Sequence, residues 1–178
     1  MNEQGAYHLA ELNVGRLLAP TDDPRVAEFM ANLDRINGLG KRMPGFVWMM
    51  EGSGEPGTGN TENNIDDDPQ FVANLTVWED APSLERFVWG TVHKQFYDKR
   101  RDWFDVIGQQ HFVMWWVPAG HRPTLEEAME RLEHLRRHGP GEFAFGWDQL
   151  EHAEMWRDGI CVPLTRDSGQ DPLDSRVG

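Results

Sequence analysis

The residues best equipped for chemistry crowd into one stretch, Phe87 to Phe104, FVWGTVHKQFYDKRRDWF. His93, Tyr97 and either Arg100 or Arg101 recur at three- and four-residue steps, so they share one face if the segment is helical. An imidazole that titrates near neutrality can act as a general acid or base. A phenol and a guanidinium beside it can stabilise an oxyanion or orient an acidic group. A second set lies on two alternating runs. In YHLAELNV (7–14) the side carrying Tyr7 and Leu9 also carries Glu11 and Asn13, and in FVANLTVW (71–78) the side carrying Val72 and Trp78 also carries Asn74 and Thr76. Glu11, Asn13 and Asn74 read as the hydrogen-bonding floor of a small-molecule pocket. Trp48, Trp78 and Trp89 read as rings that stack on a substrate. The same residues also fit a core with a polar edge, in which His93 holds a loop and Arg100 or Arg101 pairs with Asp98, Asp102 or Asp105.

Other chemistries have little support. The spacings H-E-x-x-H and C-x-x-C are absent, so no protein metal site is expected. Gly52, Gly54, Gly57 and Gly59 lack the Lys-Ser/Thr ending of a phosphate loop, and no G-x-S-x-G elbow occurs. Asp66, Asp67 and Asp68 close an acidic run without the spacing of a calcium loop, and a solvated loop is the better reading. No cofactor is therefore expected. Haem, with His93 or His111 as axial ligand, is the alternative, although seven histidines supply candidates by chance. His8 and His111 read as core or interface histidines and His121 as exposed in a turn. His134 and His138 fall at a helix C-terminus, where the dipole favours a cation.

The bulk properties narrow the partners. With 178 residues, one domain is expected. A net charge of −13 and no cluster of cations argue against nucleic acid and against an anionic membrane surface. No apolar run approaches the ~20 residues that span a bilayer. No secretory signal is visible, and the single cysteine, Cys161, precludes an internal disulfide, so a cytoplasmic location is expected.

The elements that must position these residues follow from periodicity. A first strand covers 7–14. Asp23 caps a helix that opens on Pro24, carries the stripe Val26, Phe29, Met30, Leu33, Ile36, and ends at Gly38 and Gly40. FVWMM (46–50) is a buried strand and residues 51–69 a long polar loop. A third strand covers 71–78. Pro82-Ser83 opens a helix that breaks near Gly90 and Thr91 and resumes from Val92 to Phe104. A fourth strand covers 110–117. Thr124 and Glu127 form a capping box for a last helix, stopped by Gly139-Pro140. Residues 143–147 form a short apolar patch.

The order βαββαβ is the ferredoxin-like α+β plait, here with an extra C-terminal helix. Its strands carry large apolar residues on both faces, including Trp48, Trp78, Trp115 and Trp116. The face not covered by helices needs a cover, and a second copy of the same sheet is the simplest one. A homodimer closed into a barrel is the expected assembly. The domain is expected over 6–147, with a partly flexible tail over 148–178.

HKQFYDKRRDWF, FVMWWVPAGHRPT and LEHLRRHGP, in this order of elements, resemble an uncharacterised bacterial domain family of the dimeric α+β barrel superfamily, similar to antibiotic-biosynthesis monooxygenases. The resemblance covers about His8 to Phe145. It implies a small-ligand cavity between the sheet and its helices, and a superfamily that includes cofactor-free oxygenases, haem-degrading enzymes, isomerases and plain binding domains. A small-molecule enzyme acting on an aromatic or polyketide-like substrate by cofactor-free oxygenation, isomerisation or cyclisation is the leading expectation. The catalytic candidates are His93, Tyr97 and Arg100, and the ligand-binding candidates are Glu11, Asn13, Trp48, Asn74, Trp78, Trp89 and Arg101. A non-catalytic binding domain is the alternative beside haem.

Overall fold

A computed structural model describes residues 6–52, 67–105 and 107–150. The C-terminal tail beyond 150, with Cys161, and most of the acidic loop lie outside the described residues. Four strands, β1 (Tyr7–Arg16), β2 (Phe46–Met49), β3 (Phe71–Trp78) and β4 (Phe112–Pro118), form one antiparallel sheet in the order β2-β3-β1-β4. Among the described residues the α-helices are α1 (Ala27–Gly40), α2 (Ala81–Gly90), α3 (His93–Asp98), α4 (Arg100–Trp103) and α5 (Leu125–His138). This is the expected α+β plait with its additional last helix.

Local chemistry sets the element ends. The Asp23 carboxylate accepts from the Arg25 backbone N–H at 2.9 Å, and Pro24 opens a single 3-10 turn that leads into α1. Asp80 accepts from Ser83 N–H at 2.8 Å and starts α2. The break expected near Gly90 falls at Thr91. Its hydroxyl donates to the Phe87 carbonyl at 2.6 Å and accepts from the His93 N–H at 3.1 Å, closing one helix and opening the next. A second break at Lys99 separates α3 from α4, so the segment expected as one helix is two short ones. The Phe143–Trp147 patch makes an isolated bridge to β4, with Met114 and Phe145 exchanging backbone hydrogen bonds of 2.8 and 2.9 Å.

The alternating pattern of the strands gives the sheet two cores. Leu9, Trp78, Phe112 and Met114 point to one side and pack with Leu84, Phe87 and Trp147, against Ile36 and Leu39 of α1. Ala10, Leu12, Leu75, Val77, Val113 and Trp115 point to the other side and pack with Ala128 and Leu132 of α5. The cover expected from a second copy is thus supplied, over the β4–β1 half, by α5 of the same chain. The stripe of α5 marks it as amphipathic but does not say which face it meets, and over that half of the sheet a second copy is not needed as cover. Only one arm of the expected capping box forms at the start of α5. Thr124 Oγ1 accepts from Glu127 N–H at 3.1 Å, while the Glu127 side chain instead accepts from Trp115 Nε1 at 3.1 Å and meets His121 Nε2 at 2.8 Å. Two arginines seat the helix, Arg131 on the Phe143 carbonyl and Arg136 on the Gln110 carbonyl, both at 2.7 Å.

Candidate functional site

A cavity of about 210 Å³ opens between the first face of the sheet and α1, α2, α3 and α4. Its floor is the centre of the sheet. Glu11 and Asn13 on β1 lie directly opposite Thr76 and Asn74 on β3. Strand alternation delivers all four to the same face. Phe29, Leu33 and Ile36 of α1 close one side, and Phe87, Trp89, His93, Phe96, Tyr97 and Trp103 make an aromatic wall.

Glu11 is only 3% exposed and is the most perturbed acid on that floor. Asn13 Nδ2 donates to its Oε1 at 2.8 Å and the Thr76 hydroxyl donates to its Oε2 at 3.0 Å. Trp78 Nε1 in turn donates to Thr76 Oγ1 at 2.9 Å. Loss of water disfavours the carboxylate more than these donors favour it, and the pKa rises from 4.5 to about 7. Glu11 therefore exchanges a proton in the neutral range, inside an apolar cavity.

His93 projects from the first turn of α3 into the wall. Its ring tilts against Phe87 at 4.8 Å, and Nδ1 lies 3.3 Å from the Val88 carbonyl oxygen. A carbonyl can only accept, so the proton sits on Nδ1 and leaves Nε2 with its lone pair. Burial lowers the His93 pKa to about 4, which keeps the ring neutral at pH 7. His111 also lines the cavity and is held to about 4, by burial first and then by the guanidinium groups of Arg100 and Arg136. The Arg100 guanidinium lies 4.1 Å above the Tyr97 ring and donates to the Tyr97 carbonyl at 2.9 Å.

Seven of the ten residues singled out from sequence line this cavity: Glu11, Asn13, Asn74, Trp89, His93, Tyr97 and Arg100. Trp78 has the expected face but lies behind the floor, fully buried between Phe46 and Phe87, where it supports Thr76. Trp48 does not reach the site. A register irregularity between Phe46 and Trp48 pairs it with Val77, and it packs against the core on the other face of the sheet. One extra residue in a strand reverses the face of every residue beyond it. Arg101 is exposed on α4 and does not line the cavity. Thr76 and the α1 residues were missed. The polar position opposite Glu11 was the available signal for the first, whereas the α1 stripe looks like any buried helix face. Asp68, placed in the acidic run, accepts from Arg16 Nε at 2.8 Å and from Gln70 N–H at 2.9 Å, bonds that lower its pKa. Among the described residues, no helix is long and apolar enough to cross a membrane.

A family model described as a domain of unknown function (DUF3291) matches residues 8–159. No curated protein matches the chain. Among solved structures, it is similar to SnoaB, a cofactor-independent oxygenase from Streptomyces nogalater, with 18% identity, a TM-score of 0.40, and coverage of 67% of this chain and 98% of that one. It is also similar to a candidate antibiotic biosynthesis monooxygenase from Nitrosomonas europaea, with 12% identity, a TM-score of 0.40, and coverage of 70% and 100%. A conserved protein from Methanosarcina mazei gives 10% identity, a TM-score of 0.41, and coverage of 64% and 93%.

Proposed function

The chain belongs to the family described as a domain of unknown function (DUF3291), and we propose that it is a cofactor-free enzyme that removes a proton from a small aromatic or polyketide-like molecule. The observation that carries this reading is the Glu11 carboxyl, buried on the floor of an apolar cavity and poised at about 7. A base works best when its pKa is close to the operating pH, and the sheet holds Glu11 in that condition. The role of titrating group thus passes from His93 to Glu11. The neutral His93, with Nε2 as acceptor, holds a substrate hydroxyl, and Tyr97 and Arg100 face the negative charge that deprotonation creates.

The elementary step moves a proton from a phenolic O–H, or from a C–H beside a carbonyl, to a Glu11 oxygen. It leaves an anion spread over the ring. Return of the proton at another carbon gives isomerisation, and attack of the anion on a carbonyl of the same molecule gives cyclisation. Reaction of the anion with dioxygen gives oxygenation. The cavity volume of about 210 Å³ lies below the ~300–1,000 Å³ of drug-sized sites and suits a single ring better than a tetrapyrrole. The test is turnover of a panel of hydroxyaromatic ketones by the purified chain without added cofactor. Glu11→Gln is expected to abolish turnover while the fold survives. Turnover retained in that variant overturns Glu11 as base, and binding of ligand by a chain that turns over nothing indicates a binding domain.

A further inference from the structure

Arg100 lines the cavity, and its Nε has no hydrogen-bonding partner among the described residues. Arg100 makes no ion pair among the described residues. Its contacts are to Tyr97, a carbonyl and a ring face, and neither supplies a full negative charge. A partly buried guanidinium without a counter-charge is costly, and so is an unmet buried N–H. The carboxylates that share the cavity are committed elsewhere. Asp105 lies 3.8 Å from Arg16, and Glu11 is bonded to Asn13 and Thr76 at the floor. The positive charge at this end is felt by His111, whose protonation Arg100 and Arg136 oppose.

We propose that the ligand is a small aromatic acid, whose carboxylate pairs with Arg100. This rests on the cavity being the working site, as in the function proposed above, and adds the chemical class of the molecule that enters it. The volume admits a single ring, the aromatic wall supplies a face to stack on, and the Arg100 guanidinium sets the charge of the substituent.

Isothermal titration of the full chain with the three hydroxybenzoates and the matching hydroxybenzamides reads the proposal directly. At least one hydroxybenzoate is expected to bind ten-fold or more tightly than its amide, which has the same shape without the charge. Arg100→Gln is expected to bring that ratio close to one, and Arg100→Lys, which keeps the charge, to preserve a preference for the acid. Equal binding of acid and amide, a ratio that survives Arg100→Gln, or no binding by any of the six overturns it. Glu11→Gln separates the two proposals. Acid preference with turnover intact in that variant defeats only the proton-transfer reading, and turnover lost without any acid preference defeats only the ligand class.

Discussion

The Thr76 hydroxyl donates to Oε2 of Glu11 at 3.0 Å, across a strand pair in which the two residues are register partners. A donor to the ionised form lowers an acid's pKa, and here it works against burial. Thr76→Val removes the donor with little change in volume. The Glu11 titration midpoint is expected to move upward from about 7, seen as a shift of the protonated-carboxyl infrared band to higher pH. A midpoint that stays in place would show that Thr76 does not tune the acid.

Glu11 also ties stability to pH. Its pKa is about 7 folded and 4.5 as an ordinary glutamate, so the folded chain holds more protons between those values. Stability from this group is full below 4.5 and is lost as pH rises through 7, by on the order of 3 kcal/mol. Glu11→Gln removes the dependence. Urea midpoints at pH 4.5 and 8 are expected to diverge more in the wild type than in the variant, in the direction of acid stabilisation.

His93 acts with the opposite sign. Its pKa falls from 6.5 to about 4 on folding, so the unfolded chain binds more protons in that window. The stability it confers is present above 6.5 and is lost as pH falls through 4. His93→Asn is expected to reduce the acid sensitivity of the urea midpoint between pH 7 and 4. A midpoint equally acid-sensitive in both proteins would mean that the ring is not held neutral.

Leu132 of α5 is fully buried on the face of the sheet away from the cavity. Leu132→Ala is expected to cost about 2–5 kcal/mol of stability, measured by chemical denaturation. Ligand affinity of the folded fraction should not change. A large affinity loss would mean that the two sides of the sheet are energetically continuous.

Gly45 has φ +81, and a Cβ there would collide with Ser83 Oγ at the start of α2. Gly45→Ala therefore combines a left-handed backbone with a steric clash, and at least about 2 kcal/mol of destabilisation is expected. A melting temperature within one degree of wild type would contradict the geometry.

Much of this site was legible because polar residues break an apolar alternation. Glu11, Asn13 and Asn74 interrupt greasy strand faces, and strand period carries that signal to the right side. His93, Tyr97 and Arg100 were legible through helical spacing, which survives the break at Lys99. Trp48 was misplaced because a register irregularity is a one-residue event without a periodic signature. The seat of α5 was missed because a stripe reports amphipathicity and not destination. The opposite pKa shifts of Glu11 and His93 were not legible, because desolvation depends on what surrounds a group, which spacing along a chain does not encode.

The residues of α3 are at most half-buried by their neighbours, and α4 fully buries only Trp103. The greasy mass that holds the chain together sits elsewhere, in two reservoirs separated by the sheet. Most of the aromatic wall thus hangs on a panel jointed at Thr91 and Lys99, whose side chains can be exchanged at small thermodynamic risk. Substitutions on that panel would redecorate the lining of the cavity, while the carboxyl beneath it stays anchored to the scaffold.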